Sequence, residues 1–329
     1  MLDIFNDDAF SLTSLTATIN QMDYKPGRLG QLGLFQESGI NTTTVVVESI
    51  NGELRLLPST ERGAPATQAI GDKRQLRSFV VPHIPHDSTI LAAEVQNVRQ
   101  FGSEDAMQGV QAVVNQRLQK MNANHEVTLE FLRMGALKGE ILDGDGSTIL
   151  YNLFDEFGVT QQSHDFKFSS TTIDVRAQGV KARRLVDDAL GALPYNGLHA
   201  FCGSEFFDAL VGHKSVKEAY QRWQDGEALR NDPMGRFRFA DIDWEEYRGS
   251  VGGNDFVAAN EAYLYPTGAD IFRTWFAPAD FVETVNTIGL PRYAKQKVMD
   301  FEKGVIIHTQ SNPLPINLRP RAVIKLTMS

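Results

Sequence analysis

The most informative pattern of polar and apolar residues lies at residues 42–57, where two β-favouring runs flank an Asn-Gly pair. The first run is TTTVVVESI, and its β-branched side chains favour a pleated strand. Asn51 and Gly52 supply the two positive-φ positions of a type I′ turn, and ELRLL at 53–57 returns. The pattern predicts a β-hairpin.

This hairpin has little support from its own part of the chain. Prolines and glycines punctuate residues 58–87 without a helical period, and no second strand-rich run lies nearby. A two-stranded hairpin alone is marginal in water. We therefore expect residues 41–87 to pack on a neighbouring subunit. A hairpin that folds back on its own domain is the open alternative.

Residues 103–138 carry the strongest helical period. Ser103 is placed to cap the helix, and Lys138 and Gly139 close it. Apolar positions recur at steps of three or four: Val110, Val114, Leu118, Met121, His125, Leu129, Leu132 and Ala136. Such a helix would be about 50 Å long, which is typical of a spine. His125 on this face is expected to be a core histidine and not a ligand.

Shorter helices and strands alternate along the rest of the chain. Leu12, Leu15 and Ile19 share a helical spacing. Further helices are predicted at 180–190, 204–210 and 215–223, and strands at 140–142, 149–153, 237–244, 256–259, 304–309 and 322–326. The strand at 256–259 is expected to pair with 237–244, and Pro313, Pro315 and Pro320 to separate the last two strands. The mixture indicates an α+β fold.

Length and composition narrow the class of protein. The 329 residues predict about two domains, and 42% hydrophobic residues are enough for a sizeable core. No apolar run is long enough to span a membrane, and the acids near Met1 do not fit an export signal. Cys202 is the single cysteine, which fits a reducing compartment and predicts a small buried residue.

Charge is unevenly distributed. The net charge is −9; residues 225–283 hold 12 acids and 5 bases, and residues 284–329 hold 2 acids and 7 bases. The two segments would attract each other or contact different neighbours. A solvated acidic face is the alternative.

No pattern of catalytic or metal-binding residues emerges. His83 and His86 have a metal-like spacing, but the prolines around them keep the backbone extended and direct the side chains to opposite faces. The Asp143–Gly146 turn does not fit a calcium loop, because Thr148 and Phe154 stand where glycine and glutamate are needed. No basic stripe carries interleaved aromatics. We predict no enzyme activity, no cofactor and no metal.

Several segments together resemble the major capsid proteins of tailed bacteriophages of the lambda type, the capsid E family. They are FNDDAFS at 5–11, YKPGRLG at 24–30, RSFVVPH at 77–83, GALKGEILD at 135–143, DEFGV at 155–159 and QSNPLPI at 310–316. The likeness runs nearly end to end. Their order and spacing carry the match, since no single motif is chemically diagnostic.

The resemblance implies the Hong Kong 97 phage capsid fold. It implies an N-terminal arm at 1–40, an extended hairpin loop at 41–87, a peripheral domain at 88–160 and 285–312 with the spine at 103–138, and an axial domain at 161–284 and 313–329. The loop would reach over a neighbour. The candidate intersubunit contacts are Val46, Ile50, Asn51, Gly52, Leu54, Leu56, Lys73, Arg74 and Arg77.

The implied function is structural. Copies would form hexamers and pentamers of an icosahedral virion shell, assembled in the host cytoplasm, that encloses double-stranded DNA without binding it specifically. Implied partners are a scaffolding protein, a maturation protease, a portal and a head decoration protein, with no membrane. Two alternatives remain: a cellular shell of the same fold around protein cargo, and a soluble binding module or enzyme.

Overall fold

The computed structural model describes residues 11–22, 27–50, 74–96, 106–170, 172–221, 236–251 and 253–329. The predicted cap Ser103 and the predicted return strand at 53–57 lie outside these residues. Within them, no helix is long and apolar enough to cross a membrane.

Helices and strands alternate throughout the described residues. The α-helices are α1 Leu12–Gln21, α2 Arg28–Gln31, α3 Ala92–Gln96, α4 Ala106–Lys138, α5 Leu153–Phe157, α6 Val175–Leu190, α7 Ser204–Gly212 and α8 Lys214–Gln221. The strands are β1 Gln36–Gly39, β2 Thr44–Ile50, β3 Arg74–Val80, β4 Ile84–Leu91, β5 Glu140–Leu142, β6 Ile149–Asn152, β7 Gln162–Asp165, β8 Gly197–Cys202, β9 Arg236–Phe239, β10 Ile242–Glu246, β11 Ser250–Val251, β12 Asn254–Asp255, β13 Glu261–Thr267, β14 Phe272–Phe276, β15 Tyr293–Val298, β16 Gly304–Ser311, β17 Pro313–Asn317 and β18 Ile324–Thr327.

The chain divides into two compact units, each built from three separate stretches. Unit 1 comprises Met1–Val45, Val80–Arg133 and Arg273–Ile316, and unit 2 comprises Val46–Phe79, Met134–Phe272 and Asn317–Ser329. These boundaries differ from the predicted domain ranges. Which unit is axial in a shell stays a prediction.

Unit 1 is organised around an antiparallel sheet of order β15-β16-β4. Helix α1 packs on β15, where the Thr16 hydroxyl donates to the Ala294 carbonyl and accepts from the Ala294 N–H. The predicted helical spacing of Leu15 and Ile19 is confirmed, and both side chains are buried in a cluster with Leu118 of α4 and with β4 and β16. Burial of these apolar groups holds the helix on the sheet.

Helix α4 has 33 residues, so it is about 50 Å long. The predicted apolar face is confirmed at the described positions, since these side chains are at most 5% exposed: Val114, Leu118, Met121, His125, Leu129, Leu132 and Ala136. The side chain of Val110 is outside the described residues. Gly139 follows the helix with a φ of 95°, as expected of a C-terminal glycine.

A second stripe on α4 is polar and buried. In unit 1, Glu126 forms an ion pair with Arg292, and Glu130 accepts the backbone N–H of Leu29 at 2.7 Å. Arg133, only 2% exposed, donates to Glu37 at 2.5 Å and to Thr274 at 3.3 Å. Buried charges are tolerated when they are paired in this way.

Unit 2 contains a mixed six-stranded sheet of order β7-β18-β13-β8-β10-β9. Strands β8 and β10 run parallel, and β13 is antiparallel to both of its neighbours β8 and β18. Phe166, Phe206 and Trp244 pack together beside this sheet with ring centroids 5.6–6.2 Å apart. The predicted helices at 180–190, 204–210 and 215–223 correspond to α6, α7 and α8.

The single strand predicted at 237–244 is wrong. The chain folds there into a hairpin of β9 and β10, in which Phe237 lies opposite Trp244. Ala240 and Asp241 form the turn with φ values of 56° and 61°. These residues lack the Asn-Gly signal of such a turn, which explains why the sequence did not reveal it.

The predicted pairing of 256–259 with 237–244 is also wrong. Strand β12 ends at Asp255 and pairs with β11, and β9 pairs with β10. Phe256 and Val257 are buried without forming a strand. Their apolar pattern therefore reflected burial and not sheet pairing.

Three prolines were expected to separate the C-terminal strands, but two of them lie inside a strand. Pro313 and Pro315 belong to β17, which is at the edge of the sheet β1-β14-β17. An edge strand tolerates proline because one side needs no N–H donor. Pro320 follows in a short 3₁₀ helix before β18.

The two faces of α4 can be distinguished by substitution. Leu118→Asp would bury an unpaired carboxylate in the unit 1 core, so we expect the free energy of unfolding to fall by about 3–5 kcal/mol. Gln119→Asp changes an exposed neighbour and should be nearly silent. Denaturant unfolding of both variants is the measurement. Equal losses would mean that the buried face of the helix is misassigned.

Candidate intersubunit surfaces

Strands β2 and β3 form a two-stranded ribbon. Along β2, Val45 and Val47 are buried and Val46 between them is 58% exposed. Along β3, Leu76 and the terminal Val80 are 65% and 59% exposed. Alternation along a strand directs these side chains to opposite faces, so one face of the ribbon presents apolar groups to solvent.

The opposite face anchors the ribbon on unit 2. Phe79 is fully buried, with its ring 5.3 Å from that of Tyr151 and 6.1 Å from that of Phe157. The guanidinium of Arg77 lies 5.2 Å from the Phe157 ring centroid in a cation–π contact. The base of the ribbon is therefore held by aromatic packing.

The structure describes only part of the predicted contact set. Val46 is on the exposed face and Arg77 is on the anchored face. Ile50 and Arg74 belong to β2 and β3, but their side chains are not described. The other predicted contacts lie outside the described residues: Asn51, Gly52, Leu54, Leu56 and Lys73.

The strand that pairs with β2 was missed by sequence reasoning. The expectation that no second strand-rich run lies nearby is wrong, because β3 at Arg74–Val80 fills that role. Its sequence, RQLRSFV, mixes bases with apolar residues and so lacks a β-branched run. A period of two was nevertheless present, because Arg77 and Phe79 lie on one face of the strand and Leu76 and Val80 on the other. This period could have indicated a strand.

Unit 1 presents an apolar cleft of about 720 Å³. Helix α1, Phe276 and residues 284–293 line it. Ile288, one of the lining residues, is 69% exposed, and Val282 and Val285 of the same segment are 88% and 64% exposed. Contiguous exposed apolar groups of this kind mark interaction surfaces.

The acidic and basic segments meet within each unit. Glu261 pairs with Lys325 in unit 2, and Glu283 pairs with Lys295 in unit 1, both at 2.6 Å. The expected attraction between residues 225–283 and 284–329 is thus confirmed at two positions. Glu245 is instead buried, with its carboxylate 3.1 Å from His199 and 3.0 Å from Arg236.

His83 and His86, which have a metal-like spacing in the sequence, each contact a polar side chain. His83 Nδ1 is 3.0 Å from the Asn312 side-chain oxygen, and His86 Nε2 is 3.1 Å from the Asn124 amide nitrogen. Among the described residues, no cluster of side chains could hold a metal ion. Cys202 is fully buried, as predicted, and burial raises the pKa of its thiol.

His125 is a core histidine, as predicted. Its Nε2 lies 3.0 Å from the Thr309 hydroxyl, which itself donates to the His86 carbonyl. Nε2 must therefore carry the proton and donate it to that hydroxyl. Burial, reinforced by the positive charges of His86, Arg292 and His308, lowers the pKa of His125 to about 4.

Comparison with known proteins gives a consistent match. Residues 11–328 match the family model of phage major capsid protein E. The major capsid protein of Pseudomonas phage KPP10 is 28% identical over 96% of each chain. A prophage protein of E. coli CFT073, described as a capsid protein, has a similar structure with a TM-score of 0.58 at 14% identity, covering 97% of this chain and 99% of its own.

The mature capsid of bacteriophage PhiM1 is also similar, with a TM-score of 0.52 at 9% identity over 94% of this chain and 88% of the other. These neighbours have the Hong Kong 97-like fold. The α+β fold and its long helix, which the resemblance implied, are confirmed.

Acid should weaken the fold through His125. The unfolded chain takes up a proton near pH 6.5, but the folded chain resists it until about pH 4, so stability falls as pH falls through this window. We expect His125→Gln to abolish about 2–3 kcal/mol of the loss between pH 7 and pH 4.5. Urea unfolding at both pH values measures it. An equal loss in both proteins would contradict the assignment.

Proposed function

The chain belongs to the family of phage major capsid protein E, and from that premise we propose how its parts build the shell. The protein is a capsid shell protein of a bacteriophage. We propose that its copies associate into hexamers and pentamers of an icosahedral shell that encloses double-stranded DNA. Each copy needs only weak contacts, because a closed shell multiplies them.

The observation that supports intersubunit contact is the exposed apolar face of the β2–β3 ribbon. Val46 and Leu76 are more than half exposed although they are strongly apolar. A two-stranded ribbon gains stability by covering such a face. We propose that this face lies over a neighbouring copy and that the apolar cleft of unit 1, which Ile288 helps to line, receives it.

The domain roles follow from the family fold. In this proposal residues 161–284 and 313–329 are axial, at the capsomer centre. Residues 88–160 and 285–312 are peripheral, with the spine helix α4. Residues 1–40 form the N-terminal arm, and residues 41–87 form the extended loop that includes the ribbon.

Further partners are proposed on the same basis. They are a scaffolding protein, a maturation protease, a portal and a head decoration protein, with assembly in the host cytoplasm. A cellular shell around protein cargo is not favoured, since the curated relative and the family are phage capsid proteins. Membership of a structural family also argues against an enzyme.

The ribbon contact can be tested with Val46→Asp combined with Leu76→Asp. Shell yield should fall by about tenfold or more, because burying one unpaired carboxylate costs more than about 1.4 kcal/mol. The subunit fold should persist, because both side chains are exposed within the subunit. Circular dichroism and sedimentation of particles are measured together.

Val251→Asp is the matched control, since Val251 is an exposed valine of unit 2 that belongs to β11 and not to the ribbon. It should give wild-type yield. Full yield of shells from the doubly substituted ribbon would refute its role between subunits.

Enclosed DNA should not adhere to the shell protein. The chain carries a net charge of −9, and duplex binding needs several Lys or Arg contacts to phosphate. We expect no duplex binding tighter than about 10 μM at about 0.15 M salt. Fluorescence anisotropy of labelled duplex titrated with empty shells measures this. Tight binding that weakens steeply with salt would contradict it.

A further inference from the structure

Unit 2 contains a basic cleft of about 620 Å³, lined by residues other than those of the ribbon. Helix α6 forms one wall with Arg176, Arg183 and Arg184, and the β9–β10 hairpin forms the other with Arg238. Asp187 and Asp241 are the acids that line it. Arg238 lies 3.9 Å from Asp243, so the positive character of the cleft comes from Arg176 and Arg184.

The arginines of the cleft are unequally engaged. Arg183 lies 3.7 Å from Asp187 and 3.5 Å from Asp241, so both lining carboxylates already have a cation. Arg176 and Arg184 are exposed and make no ion pair with any residue that the structure describes. Two cations therefore face the cleft with free hydrogen-bonding capacity.

Elsewhere on unit 2, the β5–β6 turn has the complementary character. Asp143 and Asp145 are exposed on it, and Ile149 at its end is 55% exposed. The Asp145 carboxylate accepts the Thr148 hydroxyl and the N–H groups of Thr148 and Ser147, which lower its pKa and fix the turn. The turn is thus a preorganised acidic projection.

We propose that the basic cleft of one copy receives the Asp143–Ile149 turn of a second copy. The arginines Arg176 and Arg184 would bind Asp143, since a guanidinium matches a carboxylate in shape and charge. Val180 and Phe239, which also line the cleft, provide apolar surface for Ile149. The inference rests on the proposed function and adds a specific contact to it.

The geometry of such a contact suits a capsomer. The cleft and the turn are different surfaces of the same chain, so their union is head-to-tail. Head-to-tail contacts repeated around an axis close into rings when the rotation permits. Charge pairs at such an interface also fix its register and reject wrong partners.

Charge reversal tests the contact. Arg184→Glu and Asp143→Lys, made separately, should each lower shell yield by about tenfold, because each sets like charges against one another. A chain that carries both substitutions restores opposite charges and should recover most of the yield. Both positions are exposed within the subunit, so circular dichroism should show an intact fold throughout.

Cross-linking provides a second readout that does not depend on yield. Gly144→Cys together with Ala219→Cys places one thiol on each surface, since Ala219 is an exposed residue that lines the cleft and a Cβ at Gly144 meets no atom within 4 Å. This pair keeps every arginine of the cleft. The native Cys202 is buried and should not react. A short bifunctional maleimide should then link successive copies of assembled shells into a ladder of oligomers. The control pair, Gly144→Cys with Asp208→Cys on α7, should give none.

Normal shells that give no ladder, or single reversals that assemble as well as wild type, would overturn the inference and leave the proposed function standing. Wild-type shells that bind duplex DNA tightly, with binding lost in Arg184→Glu shells that still assemble, would also overturn it, in favour of a nucleic-acid site. Failure of the wild-type protein to assemble at all would instead refute the proposed function.

Discussion

The long helix α4 is the constraint on which unit 1 depends. It buries an apolar stripe against α1 and the β15-β16-β4 sheet, and it buries a second stripe of charged groups. Each of those charges ties the helix to a different part of the chain: Glu126 to Arg292, Glu130 to the N–H of Leu29, and Arg133 to Glu37. An unpaired buried charge would destabilise the fold by several kcal/mol. All of these segments must therefore be in place before every charged group of the helix is paired. A rigid spine of this kind gives a shell subunit a fixed frame.

The β2–β3 ribbon differs from α4, because part of its apolar surface is not buried within a single copy. Aromatic packing of Phe79 holds its base, but Val46 and Leu76 remain uncovered. In the proposed shell, a second copy covers them. The basic cleft of unit 2 and the acidic β5–β6 turn likewise carry charges that, in the proposed contact, are paired only by a second copy. Assembly then completes interactions that the isolated subunit leaves open, which suits a protein whose working state is a shell.

Sequence periodicity revealed the elements whose buried apolar positions repeat regularly along the chain, but not the buried polar groups that need one specific partner. The apolar face of α4 was predictable because Val114, Leu118 and Met121 repeat at the period of a helix. Its buried charges were not, because their partners are far apart in sequence and isolated acids usually face solvent. The turn at Ala240 and Asp241 was not predicted, because non-glycine residues uncommonly adopt the positive φ that it requires. For the candidate site, Val46 was predicted, whereas Leu76 and Val80 were missed because bases interrupt β3.

The central claim is that the β2–β3 ribbon of one copy is covered by another. Electron cryomicroscopy of assembled shells, at a resolution that traces side chains, tests it most directly. We expect Val46 and Leu76 to contact apolar residues of a neighbouring copy and to lose most of their exposed surface. A map in which these side chains stay exposed, or pack only on their own chain, would contradict the claim.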